Sequence, residues 1–149
     1  MLYTPIVKAA MKLCFAAHAG QLDRSGIPYV NHPLHLAEQM DTEDEIVVAL
    51  LHDVMEDTEY TADDLRAIGV SDAAMEALLL LTHDDAVPYL DYVRNLKDNP
   101  IARKVKLADL RHNSQLSRLD VVRAKDLARV EKYTKARAIL GDTTPTPSS

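Results

Sequence analysis

The sequence predicts an all-α fold of about eight helices. Three observations carry this. Apolar residues recur at helical spacing in segment after segment, and no stretch shows a convincing period of two. Four glycines, no tryptophan and one phenylalanine are poor material for a β-rich fold. Good capping residues, such as Thr42, Ser71 and Asn99, stand just ahead of apolar-periodic runs. A chain of 149 residues is long enough to bury a sizeable core in a single domain, expected over residues 1–141.

The elements follow in order. Residues 4–19 read as a first helix, with Ile6, Ala10, Leu13 and Ala17 at core spacing and His18 closing it. Between Gly20 and Tyr29, Asp23-Arg24-Ser25-Gly26-Ile27-Pro28 is turn chemistry. Asn31 is expected to cap a second helix that has His32 at its start, Pro33 in its first turn, and Leu34, Ala37 and Met40 along it. Thr42-Glu43-Asp44-Glu45 has the capping-box pattern and opens a central helix, expected to run unbroken to Asp57. Thr61 starts a short helix stopped at Gly69. Ser71 caps the next, whose run Leu78 to Leu81 suggests burial. Pro88 opens a sixth helix ending near Asn99, and Asn99-Pro100 opens a seventh that reaches His112. Asp120 is expected to cap the last long helix, which Gly141 terminates. The tail, residues 142–149, is low in complexity and expected to be disordered.

Composition narrows the function. A net charge of −6 argues against general nucleic-acid binding, which needs a basic surface, but leaves room for a small anionic ligand held by a local basic cluster. One cysteine, Cys14, allows no internal disulfide, which fits a reducing cytoplasm. Lys8 and Lys12 interrupt the apolar N-terminal segment before a signal-peptide core forms, and no apolar run approaches a membrane span.

The most informative stretch is Glu45 to Asp57. Its first half, Ile46 to Leu51, is apolar on every side, as in a helix enclosed by a core. With no turn signal between, it passes into His52-Asp53 and then Glu56-Asp57. Buried ionisable groups are costly unless paired, hydrogen-bonded or bound to metal. Asp53 and Asp57, and His52 and Glu56, are i,i+4 pairs that share a helix face. The block therefore reads as a metal-centred site, ahead of a solvated helix end beside a core histidine. A second stretch, Lys106-Leu107-Ala108-Asp109, also carries an acid on an apolar patch, with Lys106, Asp109 and Asn113 in one stripe. A third, Pro28-Tyr29-Val30-Asn31-His32-Pro33, places a histidine at a helix start.

These stretches resemble the HD-domain metal-dependent phosphohydrolases, and most closely the hydrolase domain of the RelA/SpoT family and the small alarmone hydrolases. The matching blocks are His18-Ala19-Gly20-Gln21, Gly26 to Pro33, Ala49 to Thr58 with its His-Asp-x-x-Glu-Asp-Thr core, and Lys106 to Asp109. The resemblance implies one divalent metal, typically manganese, held by His32, His52, Asp53 and Asp109. Two imidazoles and two carboxylates suit Mn, Fe or Co better than structural zinc. It implies removal of the 3′-pyrophosphate from ppGpp or pppGpp, with Glu56 and Asp57 as the catalytic carboxylates that handle water and leaving-group protons. It also implies substrate contacts from Arg24, Lys106 and Asn113. No segment matches the synthetase or regulatory domains of long family members, so alarmone synthesis is not expected.

One departure bears on specificity. The family has two adjacent basic residues before its Ser-Gly-x-Pro-Tyr segment, the first associated with the purine; here they are Asp23-Arg24. An aspartate cannot stack as a guanidinium does, so a weakened preference for guanine is expected. The alternative is that Asp23 points to solvent and another residue, Arg24 itself being one candidate, takes over the stacking. Competing functions are an HD hydrolase for another nucleotide, a nucleoside monophosphate or NADPH, and a metal-bearing binding protein without turnover.

Overall fold

The computed structural model describes residues 1–144, and helices make up nearly all its regular structure. They are α1 (Pro5–Ala17), α2 (Asn31–Glu38), α3 (Glu43–Leu51), α4 (Val54–Asp57), α5 (Ala62–Ala67), α6 (Asp72–Leu81), α7 (Tyr89–Leu96), α8 (Pro100–Asn113) and α9 (Ala124–Ile139), with a 3-10 turn at Leu116–Arg118. Among the described residues no strand forms; Leu22 and Pro28 make a single antiparallel bridge that closes the α1–α2 loop. None of these helices is long and apolar enough to cross a membrane.

The core is built around α3. Every residue from Ile46 to Leu51 is buried, and α1, α2, α6 and α8 pack around the helix. Burial of each such Leu, Ile or Val side chain stabilises the fold by about 1.5–3 kcal/mol. The expected capping box forms: Thr42 Oγ1 accepts the Glu45 amide at 3.2 Å, and Glu45 Oε1 accepts the Thr42 amide at 3.2 Å. Glu45 also receives Lys104 Nζ from α8 at 2.8 Å, tying the start of α3 to the helix that carries Asp109.

Four local expectations are corrected. The central helix does not run unbroken to Asp57. It stops at Leu51, passes through His52 and Asp53, and resumes as α4. The reason is a competition for one acceptor. His52 Nδ1–H donates to the Ala49 carbonyl at 2.7 Å, the group that the Asp53 amide would take in a continuous helix. Asn31 does not cap α2 but lies within it, because the preceding turn already supplies helical bonds, with His32 N donating to Tyr29 O at 2.9 Å. Asp120 does not cap α9. The chain stays non-helical over residues 119–123, and Asp126 reaches back to accept the Arg123 amide at 2.8 Å. The expected tail starts one residue past Gly141, which adopts φ +91° as a helix terminator. Its first residue, Asp142, is anchored: Arg111 Nη2 lies 2.9 Å from Oδ2 and Arg137 Nη1 3.5 Å from it. Residues 145–149 lie outside the described residues.

Candidate active site

Three elements bring the site together. The start of α2 supplies His32, the α3–α4 break supplies His52 and Asp53, and α8 supplies Asp109. Ligand atoms of His32, His52 and Asp109 all lie within 4.8 Å of one another, and all three residues are buried. His32 Nε2 is 2.9 Å from Asp109 Oδ1, and His52 Nε2 is 3.6 Å from it. Asp53, the fourth expected ligand, stands to one side: Oδ2 is 3.0 Å from His52 Nε2 and also accepts the Tyr29 hydroxyl.

The donor set fits a divalent cation. His52 Nδ1 donates to a carbonyl, which turns the buried Nε2 toward Asp53 and Asp109 without a hydrogen bond of good geometry. Burial opposes a charged ring, yet the two carboxylates raise it well above its ordinary value, so Nε2 carries a proton where a cation would sit. His32 Nδ1 is occupied by His112 Nδ1 at 2.6 Å, which leaves its Nε2 directed at Asp109. Burial and His32 push the His112 imidazole down to about 3, so it is neutral and able to accept. Two imidazole Nε2 atoms turned to one carboxylate, each ring with its other nitrogen fixed, make the second-layer arrangement that metal-binding histidines require, a cation taking the place of the Nε2 protons.

Charge around the cluster is strongly organised. Burial disfavours an ionised Asp109, but Lys106 at 3.0 Å outweighs it and holds the carboxyl well below its usual range. Asn113 Nδ2 donates to the same carboxylate at 2.9 Å. Burial opposes a charged Lys106 as well, yet Asp109 and the rings of Tyr92 and Tyr89 keep its ammonium well above its usual range. Those rings lie 5.2 and 5.4 Å from Nζ. Burial also opposes ionisation of Asp53, and His52 overcomes it, bringing the carboxyl to about 2. Tyr29 is pushed up by burial and by Asp53, so it remains a donor.

Glu56 and Asp57 line the same cavity, one helical turn past His52 and Asp53. Burial and Asp53 raise the Asp57 carboxyl above its ordinary value. Burial raises Glu56 too, although the His83 amide donates to it at 2.5 Å. The cavity holds about 460 Å³, ample for a nucleotide-sized ligand, and its wall also includes Arg24, Lys106 and Asn113. Arg24 is exposed at the rim, whereas Lys106 and Asn113 are turned inward onto Asp109.

Three residues join the site without having been given a role by the sequence. Tyr29 lies in a recognised block, but nothing in a linear pattern says that its hydroxyl reaches Asp53. His112 is a helical turn past Asp109, a spacing that allowed contact without specifying it. Arg118 sits in the 3-10 turn, where no periodicity marks it, yet it lines the cavity. His35 packs against His112, with ring centroids 4.3 Å apart and planes tilted by 33°, and lies outside the ligand cluster.

No protein-family model matches the chain. Curated relatives do. The guanosine-3′,5′-bis(diphosphate) 3′-pyrophosphohydrolase of Haemophilus influenzae is 34% identical over 137 residues, covering 79% of this chain and 19% of that protein. A GTP pyrophosphokinase of Myxococcus xanthus is 33% identical over 146 residues, covering 87% of this chain and 19% of that protein. The chain thus spans less than a fifth of the length of either bacterial relative. A shorter relative, the guanosine-3′,5′-bis(diphosphate) 3′-pyrophosphohydrolase of Mus musculus, is 34% identical over 114 residues, 66% of this chain and 63% of that protein. A solved structure of a metazoan ortholog of SpoT, described as hydrolysing ppGpp and acting in starvation responses, matches with a TM-score of 0.64. That match covers 94% of this chain and 99% of the other at 18% identity, and it shows the fold. The helical architecture with its His-Asp cluster defines an HD-type domain. Within that class the chain is similar in sequence to the hydrolases and pyrophosphokinases of the SpoT/RelA family.

Proposed function

We propose that this protein is a metal-dependent phosphohydrolase that removes the 3′-pyrophosphate from ppGpp or pppGpp. The observation that carries the reading is the buried His32–His52–Asp109 cluster on one wall of a cavity that Glu56 and Asp57 also line. His32, His52 and Asp109, joined by Asp53, would hold a divalent cation, with Mn²⁺ the preferred ion for a mixed N/O set. That cation would supply Lewis acidity toward a phosphoryl oxygen and an acidified water.

The chain's own residues do the rest. Asp57, whose carboxyl is raised and which faces the cavity, takes the proton of the attacking water. Glu56, fixed by the His83 amide, positions that water or returns a proton to the departing ribose oxygen. Lys106 sets the charge of Asp109 from behind, and its role toward substrate is indirect. Asn113 bonds Asp109 and borders the cavity, within the region that the ribose would occupy. Arg24 meets phosphate from the rim. Residues 1–141 serve as the hydrolase domain, and a buried thiol without a disulfide suits a cytoplasmic setting. The partner is a small nucleotide, with no nucleic-acid polymer and no membrane.

The test is hydrolysis of a nucleotide panel by Mn²⁺-loaded protein: ppGpp, its adenine counterpart, nucleoside monophosphates and NADPH. Release of pyrophosphate from ppGpp, abolished by chelation, is expected. Turnover of a monophosphate or NADPH in its place would overturn the substrate assignment, and binding of metal without any turnover would overturn the enzymatic one.

A further inference from the structure

We propose that Arg118 is the specificity residue that stacks on the nucleobase, and that Asp23 is the positioning residue that holds it there. The inference rests on the nucleotide reading above. Asp23 does not point to solvent: its side chain is 11% exposed. One carboxylate oxygen, Oδ1, accepts the Ser25 amide at 2.8 Å, the Ser25 hydroxyl at 2.6 Å and the Ile27 amide at 3.1 Å, which fixes the α1–α2 loop. The other, Oδ2, is buried and stands 3.5 Å from Arg118 Nη1. On its far side Arg118 donates from Nη2 to the His112 carbonyl at 3.1 Å. The guanidinium is thus held between the α1–α2 loop and the last turn of α8, and Asp23 and Arg118 both line the cavity.

Its surroundings say what it would bind. Leu22, 65% exposed, and Leu116 and Leu119 line the same cavity. A guanidinium whose charge is matched by a close carboxylate attracts a phosphate less than a free one does. Its flat π-face remains available, and with aliphatic side chains nearby it makes a surface for a planar, neutral ring. The anionic end of the ligand belongs with the metal-type cluster, where the acids and Lys106 gather. This reverses the expectation drawn from Asp23. The aspartate does not remove a cation from the base end; it places one that comes from another part of the chain.

Calorimetric binding of GDP and of inorganic pyrophosphate separates base from phosphate recognition, using the full chain and the variants Arg118→Ala, Arg118→Lys, Asp23→Asn and the Asp23→Asn/Arg118→Ala pair. Arg118→Ala should weaken GDP about 10- to 100-fold, the range of one base stack, and leave pyrophosphate unchanged. Lysine should not rescue it. Asp23→Asn should weaken GDP in the native background and have no further effect once Arg118 is alanine. In turnover, Arg118→Ala should raise KM and leave kcat within about threefold. Equal weakening of pyrophosphate, rescue by lysine, or unchanged GDP affinity would each overturn the inference. If the native protein hydrolyses nothing but binds GDP through Arg118, the hydrolytic reading fails and this one stands. If it hydrolyses ppGpp with a KM indifferent to Arg118, the reverse holds. Failure to bind any nucleotide overturns both.

Discussion

His32 Nδ1 and His112 Nδ1 lie 2.6 Å apart with their rings stacked at an interplanar angle of 10°, so one imidazole fixes the tautomer of the other. His112→Ala removes the acceptor and frees the His32 ring. Metal affinity should fall about 10- to 100-fold, the usual consequence of losing such a partner. Competition titration with a metal-sensitive dye measures it, and native affinity in the variant would show that His112 is a bystander.

Asp109 has two roles that separate experimentally, the proposed one of metal ligand and that of counter-ion to buried Lys106. Asp109→Ala should abolish metal-dependent stabilisation, which for the native protein is about 2.7 kcal/mol at a metal concentration 100 times Kd. Without metal it should still cost about 3–5 kcal/mol, because an ammonium is left buried and unpaired. Lys106→Met in the same chain should recover part of that loss. Denaturant unfolding in chelator tests this, and no recovery would mean that Lys106 escapes to solvent.

Glu56→Gln and Asp57→Asn keep shape and remove the ionisable group. Each should retain metal and melting temperature while lowering hydrolysis about 10²- to 10⁴-fold. Near-native turnover in both would remove them from the chemistry.

Glu45 gives a pH signature outside the site. Burial pushes its carboxyl up, but Lys104 and the amides of Asp41 and Thr42 outweigh that and hold it below its ordinary value of 4.5. A depressed carboxyl contributes stability that is fully present above the unfolded value and is lost as pH falls through the folded one. The stability gap between native protein and Glu45→Gln should therefore be constant near neutrality and close on acidification below about 4.5. Thermal melts across that range check it, and a gap independent of pH would assign the contribution to shape alone.

The parts of the fold that sequence made legible are those decided locally. The capping boxes at Thr42 and Thr61 and the stop at Gly141 need only residues a few positions apart, and the apolar circumference of Ile46 to Leu51 states its own burial. His32, His52 and Asp109 were legible as chemistry because each interrupts apolar surface. What escaped depends on three dimensions. His52 competes with a backbone amide for Ala49, a contest that periodicity does not register. Arg123, whose amide Asp126 accepts, takes the start of α9 in place of Asp120, because the chain stays non-helical over residues 119–123. Asp23 looked like a lost cation because its partner, Arg118, comes from a distant loop.

The helix break at His52 has a consequence for how inactive variants are made. The imidazole that offers one nitrogen to the cluster uses the other as a wedge, claiming the Ala49 carbonyl and turning the chain toward α4. Replacing it with alanine deletes a proposed ligand and withdraws the wedge together, so the backbone is free to wind on and re-aim Asp53, Glu56 and Asp57. Such a variant is a change of scaffold as well as of chemistry. A cleaner blank keeps the wedge and alters a residue whose backbone is already committed, which Asp109 within α8 provides once Lys106 is changed to methionine with it.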